Sequence, residues 1–370
     1  MNDYDDLKVL VRELIEINKS ISPEIIKRAF QNLIAISNAE NPLPVDSARC
    51  NTSLSDQSDA LFYVLSAILS RDLFNYETLK AATAGMMLSN DHSQKIKKNS
   101  LCVAATGGEN KIRTLYVTIP VGIICSLYLP TVVQGNRAVT GCGCGGFAES
   151  DMMEFFQYPL FLPREKGEDM LSATNFFYAH AQAYHPILRR FARERGVIGF
   201  KDIYKIATGL SDPFRCEYQY LCVWDQKLAE ISARVFSGLD HTTKAIVTSG
   251  DMFGVDELPI TGGPFFVAEK QKVVRKEIRT GVKVEDISNL GEEETISEEA
   301  LSIEKILNPK NTDRKILDKR NLVKVNTALA LSTAMDKSFD ELMRMIENDI
   351  NSEKALKKFE EIKKNALVIR

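Results

Sequence analysis

The sequence predicts an α/β fold, with a small helical N-terminal domain and a larger α/β domain built on a mostly parallel central sheet. Three observations predict it. Apolar residues recur at helical spacing up to about residue 95. After Lys98, short apolar runs alternate with helix-like stretches, as strand–helix–strand units do. Glycine-bearing turns then follow several of those runs, where the ligand loops of open parallel sheets stand.

Taken in order, residues 7–17 put Leu7, Leu10, Val11, Leu14 and Ile15 on one helical face. Residues 23–37 form a second helix, with Ser22 as cap, Pro23 at the first helical position and Glu24 in the first turn. Residues 38–55 are rich in Asn, Pro, Ser and Asp and read as a loop. Residues 56–71 and 76–88 complete the helical unit. The domain boundary is set at 97/98: a helical domain over 1–97, joined by a helical contribution from about 184–205, and an α/β domain over 98–370.

Strand-like runs fall at 101–104, 129–133, 175–178, 220–223 and 244–247, and helix-like stretches at 185–195 and 225–237. Residues 115–133 carry no charge, close to the length of a membrane span. Pro120, Gly122, Ser126 and Pro130 interrupt the run, so it reads as a buried helix turning into a buried strand. Residues 270–283 alternate as a strand able to close a hairpin, and 285–299 read as an acidic loop. Residues 303–306, 322–335, 338–351 and 353–364 read as helices. The Lys-rich end interleaves Leu356, Phe359 and Ile362, a solvated face over a core stripe.

Composition narrows the function. A net charge of −3 opposes a broad nucleic-acid footprint. Seven cysteines, mostly in apolar contexts, read as buried thiols in a reducing compartment. The acidic start lacks the basic and apolar regions of a signal peptide, so a cytoplasmic protein off the membrane is expected.

Chemistry concentrates in three places. Thr106-Gly107-Gly108-Glu109 follows the first strand-like run, and such a turn exposes backbone N–H groups to an anion. Gly135-Asn136-Arg137 follows the second. Asp256-Glu257 comes after the run that ends at Thr248-Ser249-Gly250. Two glycine-rich loops, an arginine and an acid pair suit a polyphosphate held through hydrated Mg²⁺. Plainer roles exist for each: His185 as a packed core histidine, Arg195 as part of a solvated charge run, and Asp256-Glu257 as helix N-terminal acids. Cys142 and Cys144 have no second pair with which to hold zinc.

In order and spacing these pieces resemble the anthranilate phosphoribosyltransferase family, in the superfamily that also holds the pyrimidine nucleoside phosphorylases. Ala105–Glu109 stands for that family's Gly-Thr-Gly-Gly-Asp, and Val133–Arg137 for its Lys-His-Gly-Asn-Arg. His185-Pro186, Arg195, Gly199 and Asp212-Pro213 follow the family's spacing, as do Gly254–Leu258 and Thr261-Gly262. The resemblance implies transfer of phosphoribose from phosphoribosyl pyrophosphate to a nitrogen of an aromatic acid. It implies a pyrophosphate cradle at Thr106–Glu109, an acceptor pocket near Asn136, His185 and Arg195, and Mg²⁺ on Thr118, Asp256 and Glu257. A homodimer formed through the helical domain is implied as well.

The chain departs from the family at the site itself. Ala105 replaces glycine, Glu109 replaces aspartate, and Tyr116 replaces an asparagine and is expected to intrude on the phosphate cradle. Val133-Gln134 replaces Lys-His, residues 140–146 replace a Ser-rich loop, and Lys205 replaces an asparagine. Lys205, Arg113 or Lys111 are the cations able to restore the lost charge. Three outcomes fit: the same donor with another acceptor, a different phosphorylated sugar, or lost catalysis. The competing functions are a catalytically silent relative that binds nucleic acid or a protein partner, and a pyrimidine nucleoside phosphorylase. The Asp256-Glu257 pair and the His185–Arg195 spacing favour the transferase.

Overall fold

The structure, a computed structural model, describes residues 23–24, 26–31, 66, 69–70, 72–88, 98–107, 114–138, 147–192, 202–250, 255–282, 287–291 and 293–369. The helix expected over 7–17 and the loop expected over 38–55 lie outside them. Among the described residues the chain runs α1 (Tyr76–Leu88), β1 (Leu101–Ala105), α2 (Thr118–Cys125), β2 (Thr131–Gly135), α3 (Glu149–Phe155), α4 (Arg164–Thr174), β3 (Phe176–His180), α5 (Ala181–Tyr184), α6 (Pro186–Arg190), α7 (Ile203–Ser211) and β4 (Tyr218–Cys222). It continues with α8 (Gln226–Ser237), β5 (Lys244–Thr248), β6 (Gly262–Glu269), β7 (Lys272–Arg279), a 3-10 turn (Ile287–Leu290), α9 (Ile296–Leu307), α10 (Arg314–Leu331), α11 (Phe339–Asn351) and α12 (Lys354–Ile369).

The seven strands form one sheet in the order β3-β2-β1-β4-β5-β6-β7. The first five are parallel, and β6 and β7 are antiparallel additions. β1 to β5 are almost wholly buried, as strands covered on both faces must be. From β1 the chain first winds to β2 and β3 on one side, then returns to β4 and β5 on the other. The gap between the ends of β1 and β4 is therefore a topological switch point, where the loops diverge and leave a crevice.

One apolar cluster joins the strands to α2 and α10 through Val103, Ile123, Val133, Phe177 and Leu329. A second lies among α1, α7 and α8, through Leu79, Leu210, Leu228 and Phe236, with Phe30 and Tyr204 ring centroids 5.5 Å apart. The run over 115–133 is the buried helix and strand that its composition predicts. No described helix is long and apolar enough to cross a membrane.

One expectation, the hairpin strand, holds with shorter bounds, and one is corrected. The strand expected over 270–283 is β7 alone; Lys270 and Gln271 form the turn that joins it to β6, with φ of +50° and +62°. That is the left-handed pair a tight hairpin needs, made without the usual Gly or Asn. The acidic loop expected over 285–299 holds the 3-10 turn and the start of α9. There the Thr295 hydroxyl accepts from the Glu298 N–H at 3.3 Å while Glu298 accepts from the Thr295 N–H at 3.2 Å. This reciprocal cap satisfies two otherwise orphaned donors.

Candidate active site

Strand register sets the site. Ala105 on β1 pairs with Cys222 on β4, Cys222 with Thr248 on β5, and Gly135 on β2 with His180 on β3. The parallel strands thus end level, and the loops after them share one edge of the sheet. The Thr106 N–H continues the ladder by donating to the Cys222 carbonyl at 2.9 Å. Its hydroxyl lies 3.1 Å from Asp256 Oδ2 and donates to it, across 150 residues of chain. Gly107 follows at φ +61°, a conformation that costs glycine nothing.

The acid pair arrives by a pinch in the chain. Gly250 and Val255 exchange backbone hydrogen bonds of 3.0 and 3.4 Å, so Asp256 and Glu257 come directly after this bridge. A Cβ on Gly250 would stand 2.6 Å from the Glu257 carbonyl oxygen, so a side chain has no place there. Both acids are buried, at 0% and 3% exposure, and the Thr114 hydroxyl donates to Glu257 at 3.0 Å. Burial first, then the charge of Glu257, pushes the neighbouring Cys222 thiol well above its usual range. Cys222 is therefore a neutral thiol and no nucleophile.

The other described candidates have local partners of their own. At the adjacent β2 end, Asn136 Oδ1 accepts from the Arg137 N–H at 2.9 Å, and its carbonyl accepts from the Ser150 N–H at 3.2 Å. The Arg137 guanidinium is turned onto α3, donating to Asp151 at 3.0 Å and to Glu154 at 2.8 and 2.9 Å. The Thr118 hydroxyl donates to Glu149. His185 is fully buried, with Nε2 3.1 Å from the Ser211 hydroxyl. Gly108, Glu109, Arg195 and Gly199 lie outside the described residues, as do Lys111, Arg113, Cys142 and Cys144.

Tyr116 is tied to two other segments. Its N–H donates to Glu299 at 3.1 Å, its hydroxyl donates to the Phe147 carbonyl at 2.7 Å, and the two rings lie 5.7 Å apart. These contacts hold the ring on the Phe147 segment. Burial pushes the Glu299 carboxyl up against the pull of Lys319, which is itself fully buried and 2.8 Å from Glu293.

Sequence reasoning missed several residues here. Asn326, on α10, donates to the Leu258 carbonyl and accepts from its N–H, each at 3.0 Å, and so clamps the residue after Glu257. Gln134 is buried beside Gly135, and neither polar atom of its amide has a partner among the described residues. His180 Nδ1 and the Tyr178 hydroxyl each lie 2.8 Å from the Ser150 hydroxyl. No local pattern marks Asn326, His180 or Tyr178, since each meets a partner distant in sequence.

His180 gives a pH prediction. Burial, helped by the nearby Arg137 charge, lowers its pKa from 6.5 to about 3. The unfolded chain then binds more protons than the folded one between those values. Stability from this group is complete above 6.5 and is lost as the pH falls towards 3. His180→Asn should flatten that part of the profile in denaturant unfolding followed from pH 7 to pH 4; a profile parallel to wild type rejects the assignment.

A groove of about 850 Å³ runs along α8 and β7, lined by Tyr76, Lys227, Glu230, Arg234 and Arg275 among others, and contains none of these loop residues. Among the described residues, no group of three or more His, Cys, Asp or Glu is placed to hold a metal ion.

Comparison with known proteins gives a consistent picture. Solved structures share the fold. Anthranilate phosphoribosyltransferase from Saccharomyces cerevisiae in complex with PRPP and Mg superposes with a TM-score of 0.80 over 98% of each chain at 16% identity. The enzyme from Thermus thermophilus gives 0.74 over 100% of each chain at 15% identity. In sequence, the anthranilate phosphoribosyltransferase of Saccharolobus solfataricus is 29% identical over 266 residues, covering 71% of this chain and 74% of its own. That of Saccharolobus islandicus (strain L.S.2.15 / Lassen #1) is 28% identical over 261 residues, covering 68% and 72%. The family model described as "Glycosyl transferase family, a/b domain" matches residues 97–356. With that span of its 370 residues matched, the chain belongs to this glycosyl transferase family, as a pentosyltransferase related to the anthranilate phosphoribosyltransferases.

Proposed function

We propose that the protein is a Mg²⁺-dependent phosphoribosyltransferase that moves phosphoribose from phosphoribosyl pyrophosphate to the amine of an aromatic acid such as anthranilate, releasing pyrophosphate. One observation carries the reading: the hydrogen bond from Thr106 to Asp256 joins the glycine turn to the acid pair at the switch point of the sheet. The glycine turn suits the pyrophosphate, because its N–H groups are preorganised donors. The two carboxylates and nearby hydroxyls are hard oxygen donors, which suit Mg²⁺; that ion takes one or two carboxylates and completes its shell with waters and phosphates.

In this reading Asp256 and Glu257 hold the ion, with Thr118 assigned to the same metal region. When bound, it neutralises charge on the leaving pyrophosphate. The C1′–O bond breaks with its electron pair going to pyrophosphate, the amine nitrogen forms the new bond to C1′, and that nitrogen gives up a proton. Thr106 to Glu109 cradle pyrophosphate, Gly135 to Arg137 border the acceptor side, and His185, Arg195 and Gly199 line the acceptor pocket. The reading also takes residues 1–97 as the helical domain of a cytoplasmic homodimer; exposed Phe74 and Leu88 suit a contact there.

The test is pyrophosphate release from phosphoribosyl pyrophosphate with Mg²⁺ and anthranilate, alongside calorimetry of donor binding. Turnover that requires both Mg²⁺ and the acid supports the reading. A panel of aromatic acids with neither turnover nor donor binding overturns it, and phosphate-driven cleavage of uridine would move the protein to the phosphorylases.

A further inference from the structure

We propose that Lys205 is the cation that receives the donor's pyrophosphate, taking over from the lysine that Val133 has displaced. The inference rests on the transferase reading above. Lys205 lies in the first turn of α7, where its N–H donates to the capping Asp202 at 2.9 Å and so fixes the start of the helix. Lys205 and Gly209 are one turn apart and share a helical face. A Cβ on Gly209 would stand 3.0 Å from Leu221 Cδ1 and 3.7 Å from Thr106 Cγ2, so this face is pressed onto the ends of β4 and β1. One turn nearer the N-terminus, the same face brings Lys205 over the glycine turn. Its Cε and Nζ both lie 3.5 Å from the point a Cβ on Gly107 would occupy. Because residue 107 has no side chain, nothing of its own separates the ammonium from the backbone of Gly107. A cation and N–H donors at one place make a subsite for a polyanion.

β2 has no cation to offer. Val133 is fully buried, and its Cγ2 fills the space where a Cβ on Gly122 would stand, so it lies under α2. The positive charge has moved from β2 to the opposite flank of β1, on α7.

The test compares full-length wild type with Lys205→Ala, Lys205→Met and Lys205→Arg. The readout is calorimetric affinity for inorganic pyrophosphate, and separately for phosphoribosyl pyrophosphate, each with Mg²⁺. Losing one charge-assisted contact should weaken both ligands about 10- to 100-fold in the Ala and Met variants, while Arg stays within about threefold. Met keeps the apolar stem, so it decides the matter if Ala impairs folding. Binding by the Met variant within about threefold of wild type overturns the role of Lys205 and leaves the transferase reading in place. Wild type that binds neither ligand removes the transferase reading and this proposal together, so the two failures are distinct.

Discussion

Asp256→Asn combined with Glu257→Gln is expected to lower kcat/KM by about 10³-fold or more, since a metal at a developing charge supplies several kcal/mol and each 1.36 kcal/mol is tenfold. The amides keep the size of the acids and can still accept from the Thr106 and Thr114 hydroxyls, which now donate to the two carboxylates at 3.1 and 3.0 Å. The fold should therefore survive. Wild type should gain stability from Mg²⁺ and donor together, as any ligand that binds only the folded state confers it. The variant should not. Thermal unfolding with and without the two ligands reads both effects. A variant that keeps the ligand-induced rise, or keeps activity within about tenfold, would show that the acid pair holds no metal.

Much of the frame was legible because the strands are short apolar runs bounded by turn residues. β1, β2, β3, β4 and β5 fall within two residues of where composition puts them. The switch point was not legible, because strand order depends on pairing between distant segments. β6 escaped notice because it opens with Gly262, Gly263 and Pro264, which read as turn, and because the turn after it lacks glycine. At the site, the motifs were visible but not the partners that orient them. Arg137 reads as a ligand-facing cation until Asp151 and Glu154 are seen to occupy it. Tyr116 reads only as bulk until the Phe147 carbonyl is seen to take its hydroxyl. A bulky residue in a motif says how much space it fills, and only its hydrogen bonds say where.

Asn326 shows what such hidden partners contribute, and Asn326→Leu is expected to be the most destabilising single change near the site. The side chain is fully buried. Its oxygen accepts from the Tyr220 hydroxyl at 2.6 Å and the Leu258 N–H at 3.0 Å, and its nitrogen donates to the carbonyls of Leu258 at 3.0 Å and Leu322 at 2.9 Å. Leucine matches the volume but removes the acceptor of the Tyr220 hydroxyl's 2.6 Å bond and leaves both polar groups of Leu258 without the Asn326 amide. At about 1–3 kcal/mol for each such group, with some relaxation, the loss should reach about 3–5 kcal/mol in urea unfolding. The consequence for function follows from the chain: Leu258 is bonded to Glu257, so a loosened Leu258 lets the acid pair drift. Small misplacements of positioning groups cost about 10²-fold in rate, and Mg²⁺-dependent donor binding should weaken alongside. Asn326→Asp separates packing from positioning. Its carboxylate still accepts from Tyr220 and the Leu258 N–H but cannot donate to the Leu258 carbonyl, so it should lose stability as a buried charge does while its donor affinity falls between wild type and Leu. Equal donor affinity in all three proteins, measured where each is folded, would mean that α10 supports the sheet without setting the acid pair.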